Sequence, residues 1–435
     1  MLSKSLKWLE SLGGVRLPHY KDTVHTETVT MPVPKTVRIG MAQHRGSGPC
    51  EPIINIGDTV KVGQVIATSV ARFSAPIHSS VSGTVVAIEG QPAEVVIEAD
   101  GMQTLTSDLE PPVIKTRTDF IQAVKNSGLV GLGGAGFPTH VKLDVEVGAI
   151  DRLVINAAEC EPFITSDTRE MFENTEDIIR GIMAVSEHLQ VEKAVVGIEN
   201  GHQEAVKVLK EAIAKYGDAS KIEVKVLPVI YPQGAEKGLV RATTGRVISS
   251  GKLPSSVGCV VMNVTSVAQI HRYLTTGIPL TTRRITVDGS AVATPQNVFV
   301  PLGTTVKDVF EFCGGFKQEA AKIIQGGPMM GQSIPHMDLT VTKFTNALLA
   351  FGEEDAHKDE ATDCIRCSRC VSVCPMSLMP VLFEQNQTHG NVAALNKLSV
   401  LDCVECGSCS YICPSNRPLV ESIRLGKTMV RSEQK

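Results

Sequence analysis

The sequence contains no long hydrophobic run. No segment of its 435 residues approaches the ~18 consecutive apolar residues that a membrane-spanning helix needs. Residues 1–14 include Lys4 and Lys7 but no apolar core, so we expect no secretory signal peptide. Any role at a membrane is therefore expected to depend on partner proteins.

The chain also lacks a strong excess of charge of either sign. Its formal net charge is -4, and no basic stripe favours nucleic acid as a partner. Hydrophobic residues make up 43% and charged residues 20%, which is typical of soluble globular proteins. At ~100–200 residues per domain, the length predicts two to four domains.

Cysteine is abundant but unevenly placed. The chain has 12 cysteines, and most of them lie between Cys364 and Cys413. Clustered C-x-x-C spacings in a chain without an expected signal peptide indicate metal ligands rather than disulfides, in a reducing compartment such as the cytosol. The other four are scattered singly and are predicted to be small buried apolar side chains: Cys50, Cys160, Cys259 and Cys313.

The clustered cysteines form two copies of the run C-x-x-C-x-x-C-x-x-x-C-P. This run is the bacterial ferredoxin pattern for [4Fe–4S] clusters, in which the fourth cysteine of each run binds the other cluster. The alternative is two structural zinc sites, but zinc sites use two C-x₂₋₄-C pairs and have no need of this repeated run. The predicted ligands are Cys364, Cys367, Cys370 and Cys413 (the first cysteine set) and Cys403, Cys406, Cys409 and Cys374 (the second cysteine set).

An N-terminal segment, residues 1–32, precedes a strand-like region that is rich in glycine and proline, residues 33–114. Gly57-Asp58 and Gly63-Gln64 predict turns between short strands. The region resembles the barrel-sandwich hybrid of biotinyl and lipoyl carriers. No lysine stands at the predicted hairpin tip, so we expect a scaffold rather than a carrier.

Residues 115–280 alternate helical and strand patterns, which predicts a Rossmann-like parallel α/β sheet with helices on both faces. Residues 281–340 return to strands and resemble a β-grasp unit of the soluble-ligand-binding (SLBB) type, for which we expect a packing role. Residues 341–435 contain a charged linker, 351–363, and a helical ferredoxin-like domain with both cysteine runs. The predicted fold class is therefore a multidomain α/β protein.

A glycine-rich loop follows the first predicted helix of the α/β region. Gly131, Gly133 and Gly136 fit G-x-G-x-x-G, which is a weak signal because no strand precedes it. The longer string "GLGGAGFPTHVK" resembles the flavin mononucleotide (FMN) loop of the flavoprotein subunit of respiratory complex I. Segments that begin at Ile155, Tyr231 and Met262 resemble other parts of that subunit in the same order.

This resemblance implies an FMN site and a nicotinamide site. Glycine amides and Lys142 would bind the FMN phosphate, and Asn156 and Asn263 the flavin ring or ribitol. Glu159 and Glu161 would meet a nicotinamide ribose. The full set of cofactor-binding candidates is Gly131, Gly133, Gly134, Gly136, Phe137 (a stacking surface), Lys142, Asn156, Glu159, Glu161, Glu236, Asn263 and Thr265. Each residue taken singly is also explained as a turn glycine, a capping asparagine or a solvated carboxylate.

Three departures from the complex I pattern leave the nicotinamide site with less support than the phosphate site. Ala157-Ala158 stand where complex I has acidic and small residues. Leu132 replaces an arginine that complex I usually has. In "GAEKG", Lys237 stands where an acidic residue would face NADH.

The order of the four regions resembles the C subunits of the Rnf family, the ion-translocating ferredoxin:NAD⁺ oxidoreductases. The resemblance implies a peripheral subunit on the cytoplasmic face of a membrane complex, with the other Rnf subunits as partners and ferredoxin as an indirect one. Such a protein would exchange a hydride with NAD(H) on FMN and pass electrons through two [4Fe–4S] clusters. The alternatives are a soluble flavin-dependent NADH:acceptor reductase and an electron-conducting scaffold that has lost nucleotide binding.

Overall fold

The computed structural model describes residues 13–357 and 359–433. The strands are β1 (Val29–Thr30), β2 (Thr36–Gly40), β3 (Glu51–Pro52), β4 (Thr59–Val60), β5 (Val65–Thr68), β6 (Ile77–His78), β7 (Gly83–Glu89), β8 (Glu94–Ala99), β9 (Arg152–Asn156), β10 (Lys193–Glu199), β11 (Ile222–Leu227), β12 (Cys259–Asn263), β13 (Thr282–Asp288), β14 (Gln296–Pro301), β15 (Lys322–Gln325), β16 (Gln332–Ser333) and β17 (Ala347–Phe351).

The α-helices are α1 (Arg117–Asn126), α2 (Thr139–Leu143), α3 (Ser166–Glu173), α4 (Thr175–Leu189), α5 (Gln203–Tyr216), α6 (Glu236–Thr244), α7 (Val264–Thr276), α8 (Val306–Phe312), α9 (Glu353–Ala356), α10 (Arg369–Ser372), α11 (Pro380–Thr388), α12 (Val392–Lys397), α13 (Ser408–Tyr411) and α14 (Leu419–Glu433). Short 3₁₀ turns lie at Asp22–His25, Pro254–Val257 and Val400–Asp402. In the described parts of the chain, no helix combines the length and the apolar character needed to cross a membrane.

The N-terminal region folds as the predicted barrel-sandwich unit. One sheet has the order β2-β8-β7-β4 and the other β3-β5-β6. Alternate strand residues point inward, so Val37, Ile39 and Ile97 are fully buried in the core between the sheets. The fold prediction for this region is confirmed.

The second unit is a parallel sheet of order β11-β10-β9-β12. Strand β9 is buried on both faces: Leu153 and Ile155 join the core under α4, α5 and α7, while Val154 joins a separate core under α6. Helices therefore cover both sides of the sheet, as predicted. A capping box of Thr116 and Asp119 starts α1, which is the helix before the glycine-rich loop.

The β-grasp unit is a mixed sheet of order β1-β14-β13-β17-β15-β16 with α8 against its core. Two of its strands lie outside the predicted range 281–340, namely β1 near the N-terminus and β17 after it. Both are recruited by long-range pairing, β1 to β14 and β17 to β13. Three separate parts of the chain therefore contribute strands to this sheet.

The C-terminal unit is a small helical domain. The segment between the cysteine runs forms α11 and α12, and the C-terminal helix α14 packs on both. Phe383, Leu395 and Ile423 are fully buried at the centre of this packing. The predicted helical ferredoxin-like domain is confirmed as a fold.

Candidate functional site

The carboxyl edge of the parallel sheet brings two predicted residues side by side. Asn156 ends β9 and Asn263 ends β12, and the two are paired in register. Ligands of open α/β sheets bind at this edge. Asn156 Nδ2 donates to Gly234 O at 2.9 Å, while Asn263 Oδ1 caps α7 by accepting from the amides of Thr265 and Ser266. Both side chains therefore shape the loops around the edge.

The glycine-rich loop forms a closed turn over this edge. Gly131 N donates to Phe137 O at 2.8 Å, and Gly136 N donates to Gly131 O at 3.0 Å. Gly134 and Gly136 have φ of +92° and +61°, a conformation that favours glycine. Residues 133–135 are exposed, and their three backbone N–H groups have no partner within the described residues. An open row of amides of this kind suits a phosphate.

Buried hydrogen bonds fix the glycine-rich loop to the units beneath it. Leu132 N donates to Ser266 Oγ in the first turn of α7, and Leu132 O accepts from Arg283 Nη2, both at 3.1 Å. Burial lowers the pKa of Arg283 to about 10. A Cβ at Gly133 would lie 3.2 Å from Asn263 Nδ2, so the loop packs closely on this side chain. Phe137 extends the wall of the loop toward Phe73 of the barrel-sandwich unit, with the ring centroids 5.9 Å apart.

Lys142 and Glu236, both predicted to bind cofactor, contact each other. Lys142 Nζ lies 3.1 Å from Glu236 Oε1 and also donates to Val261 O at 3.0 Å. The two side chains are 29% and 41% exposed, so the pair is accessible from solvent. The lysine lies in the helix that follows the loop, and part of its charge is already balanced by a carboxylate.

The carboxylates of Glu159 and Glu161 do not face open space. Glu159 is buried and caps α3, accepting from Asp167 N at 2.8 Å and Thr168 N at 3.1 Å. Glu161 accepts from the amides of Met329 and Met330 at 3.0 and 2.9 Å. Burial raises the pKa of each glutamate to about 7. These internal bonds hold both carboxylates against neighbouring main-chain amides, and their contact with a nicotinamide ribose stays a prediction.

Asp167 is a polar residue of this edge that the sequence analysis missed. Its carboxylate accepts from Asn263 Nδ2 at 2.7 Å and from Thr265 Oγ1 at 2.6 Å. It thus ties the start of α3 to the start of α7. No motif marks such a residue, because its partners lie about a hundred positions away in the sequence.

The eight clustered cysteines fall into two groups in space. One cavity is lined by the first cysteine set, Cys364, Cys367, Cys370 and Cys413, and another by the second cysteine set, Cys374, Cys403, Cys406 and Cys409. This grouping exchanges the fourth cysteine of each run, as expected for crossed ligation of two cubane clusters. Within the described residues, no group of three or more His, Cys, Asp or Glu is arranged to hold a single metal ion.

The two runs have the same backbone turns at equivalent positions. Arg366 and Glu405, each between the first two cysteines of its run, have φ of 55° and 57°. Ser368 and Gly407, two residues further, also have positive φ. These left-handed residues bend each run into a tight loop, so three thiols of the run line one cavity.

The second cysteine set lies against the α/β unit, and two cysteines of the first set are exposed. Tyr231 Oη donates to Cys406 O at 2.7 Å, and Lys237 Nζ pairs with Asp402 at 3.3 Å, just before Cys403. Cys364 and Cys367 of the first cysteine set are exposed. The electron-carrying positions are therefore arranged as an inner and an outer site.

Four family models match the chain in the order of its four units. They are the RnfC barrel sandwich hybrid domain (residues 9–106), the Nuo51 FMN-binding domain (124–272), the SLBB domain (284–333) and the 4Fe-4S dicluster domain (363–417). The glycine-rich loop and the edge asparagines lie within the FMN-binding match, and both cysteine runs lie within the dicluster match. The two cysteine-lined cavities and the open amides fit these groups.

A likeness to solved structures supports the fold. The NAD⁺-reducing [NiFe]-hydrogenase in its air-oxidised state superposes with a TM-score of 0.52 at 18% identity, over 71% of this chain and 63% of that chain. At this identity, the likeness concerns the fold alone.

Curated relatives match almost the whole chain. The C subunit of the Na(+)-translocating ferredoxin:NAD(+) oxidoreductase complex of Acetobacterium woodii is 39% identical, with 97% of each chain covered. The proton-translocating counterpart of Clostridium ljungdahlii is also 39% identical, over 86% of this chain and 83% of the relative. The C subunit of the ion-translocating oxidoreductase complex of Rhodobacter capsulatus is 36% identical, over 97% and 83%. The chain belongs to this family, the C subunits of the Rnf-type ion-translocating ferredoxin:NAD⁺ oxidoreductase complexes.

Proposed function

We propose that this chain is the electron-transfer subunit through which a membrane-bound ferredoxin:NAD⁺ oxidoreductase exchanges a hydride with NAD(H). The chain would be peripheral, on the cytoplasmic face of the membrane, and the other subunits of the complex would be its partners. The observation that carries the proposal is the position of the second cysteine set. It adjoins the FMN-binding unit, while the first cysteine set is open to a partner.

The glycine-rich loop is the proposed phosphate site of FMN. Residues 133–135 offer three amides on an exposed turn that have no partner among the described residues, and Lys142 lies in the following helix. Backbone amides in a fixed turn bind an anion without covalent attachment, so the flavin is expected to be non-covalent. When bound, FMN supplies the exchange between two-electron and one-electron chemistry.

Asn156 and Asn263 are the proposed side-chain contacts to the flavin. They end adjacent strands at the carboxyl edge, and their own bonds to Gly234 and Asp167 fix their orientation. Preorganised amides of this kind orient a ring without reorganising when it binds. Phe137, which contacts Phe73, is the proposed aromatic wall of the flavin site. Glu159 and Glu161 are left out of this proposal because their oxygens are occupied.

The two cysteine sets define a proposed order of electron transfer. The second cysteine set receives electrons from the flavin side, and the first cysteine set delivers them to the membrane subunits. The reverse order applies when ferredoxin is the donor. Cysteine thiolates hold both clusters, with Cys374 and Cys413 exchanged between the runs.

Anaerobic purification followed by iron, sulfide and flavin analysis tests this function. We expect FMN and the iron and sulfide of two [4Fe–4S] clusters per chain, and NADH is expected to bleach the flavin. Both clusters without flavin, or flavin that NADH leaves oxidised, would instead indicate a conducting scaffold. Failure to co-purify with integral membrane subunits would indicate a soluble reductase.

A further inference from the structure

A buried tyrosine of the α/β unit is hydrogen-bonded to the main chain of the second cysteine set. Tyr231 Oη lies 2.7 Å from Cys406 O and 3.3 Å from Glu161 Oε1. A tyrosine hydroxyl carries one proton, and the shorter contact assigns it to the carbonyl. Tyr231 is 3% exposed and Cys406 is 7% exposed, so water does not compete for this bond.

Tyr231 is itself held on two sides. Its backbone N and O pair with Val15 O and N, each at 2.8 Å. Glu161, beside the hydroxyl, is fixed by the amides of Met329 and Met330 from the β-grasp unit. The hydroxyl is therefore aimed at Cys406 by contacts from three parts of the chain.

The β-grasp unit and the segment around Gly13 and Gly14 also contact the two loops that carry the second cysteine set. A Cβ at Gly407 would lie 2.8 Å from Met329 O, so this loop is packed against the β-grasp unit. On the other loop, Gly14 N donates to Val373 O at 2.7 Å, and a Cβ at Gly13 would lie 2.6 Å from Cys374 O. In the first cysteine set, by contrast, Cys364 and Cys367 are exposed.

We propose that Tyr231 is a positioning residue for the second iron–sulfur cluster, which fixes the loop 403–409 against the α/β unit and raises the reduction potential of that cluster. The inference rests on the proposed function, because it assumes that the second cysteine set holds a cluster. The hydroxyl proton, donated to the main-chain oxygen of Cys406 rather than to its sulfur, places partial positive charge beside a cluster ligand and so favours the reduced form. Hydrogen bonding and solvent exclusion are the protein's means of tuning such potentials.

The test is a redox titration, followed by electron paramagnetic resonance, of the full chain carrying Tyr231→Phe. Phenylalanine keeps the ring packing and removes the donor. We expect iron, sulfide and FMN contents equal to wild type. One of the two midpoint potentials should fall by about 59 mV, the equivalent of a tenfold change in a one-electron equilibrium, and the other should stay unchanged. Backbone amides of residues 403–409 should also exchange hydrogen faster. The matched control is Tyr273→Phe, on the partly buried face of α7, which should move neither potential.

Two results would overturn the proposal. One is a pair of potentials that both equal those of wild type in Tyr231→Phe with both clusters present. The other is loss of cluster iron with no shift in the remaining signal, which would make Tyr231 a residue of fold stability alone. A wild-type chain that holds clusters but no FMN would overturn the flavin part of the proposed function, and the potential shift could still be measured in it.

Discussion

The ammonium nitrogen of Lys237 lies 3.3 Å from Oδ1 of Asp402, the residue before Cys403. Asp402 also accepts from Gly251 N at 3.1 Å and from the hydroxyl of Ser250. The side chains of the ion pair are 20% and 13% exposed. Lys237 stands where the complex I pattern has an acidic residue, and in this chain its ammonium pairs with a carboxylate of the cluster domain. The lysine binds the cluster domain to the α/β unit.

Lys237→Ala is expected to loosen the contact between the two units. A hydrogen bond to a charged group contributes about 1.5–3 kcal/mol, and solvent access puts this pair near or below the lower value. We expect faster proteolysis and faster amide exchange around residues 400–403, with FMN content unchanged. Lys207→Ala is the control, because Lys207 is exposed and its pair with Glu211 is long, at 3.9 Å. Equal exchange in both variants would contradict the role of Lys237.

Cys374→Ala is expected to damage the cluster of the second run rather than the one beside it in sequence. The structure groups Cys374 with Cys403, Cys406 and Cys409 around one cavity. The matched variant is Cys413→Ala, which should damage the cluster of the first run. Each variant should retain about half of the iron, and the two should lose different resonance signals. Loss of the neighbouring cluster in both would refute the crossed ligation.

Lys142→Ala is expected to weaken FMN binding by no more than about 1.5–3 kcal/mol. The loss should be near the lower end, because Glu236 already balances part of the lysine charge. Glu236→Gln is the informative counterpart: it frees Lys142 and should tighten FMN binding. Fluorescence titration of the flavin-free chain measures both. Flavin that stays with the chain after acid denaturation would show covalent attachment and contradict the non-covalent site.

Sequence reasoning predicted the features whose residues are close together in the chain. The two cysteine runs, the glycine-rich loop and the alternating α/β pattern are local, and each was sufficient to predict its unit. The crossed grouping of Cys374 and Cys413 also followed from spacing, through the known behaviour of repeated runs. What these features share is that one short segment supplies most of the chemistry.

The contacts that were missed are long-range. Arg283 supports Leu132 across 151 positions, and Tyr231 reaches Cys406 across 175. Glu159 caps a helix through the amides of Asp167 and Thr168, a role that its place near the motif did not reveal. A carboxylate near a motif looks the same in the sequence whether it caps a helix or contacts a ligand, and only the packing decides whether it is buried. The extension of the β-grasp sheet beyond residues 281–340 was also missed, because it depends on long-range pairing of β1 and β17 with the central strands.

Lys343 predicts a measurable pH dependence of stability. It is fully buried beside the glycine-rich loop, and its ammonium donates to Pro76 O and Gly128 O, each at 2.7 Å. Burial lowers its pKa to about 7. The unfolded chain has a lysine pKa of about 10.4, so between these values the unfolded state binds more protons. The cost of burying the charge is therefore complete below pH ~7 and is relieved as the pH rises toward ~10.4.

Lys343→Met should remove this contribution from the pH profile. In the wild type, Lys343 adds a rise of at most about 1.4 kcal/mol per pH unit to the free energy of unfolding above pH ~7. The variant should lose that rise, although it also leaves Pro76 O and Gly128 O without their donor. Denaturant unfolding at pH 7, 8 and 9 gives the slope of the free energy of unfolding against pH for each protein. The lost hydrogen bonds lower this free energy by the same amount at each pH, so they do not change the slope. Lys207→Met, at an exposed lysine, should keep the wild-type slope. Parallel profiles for wild type and Lys343→Met would show that the buried ammonium keeps its proton throughout this range.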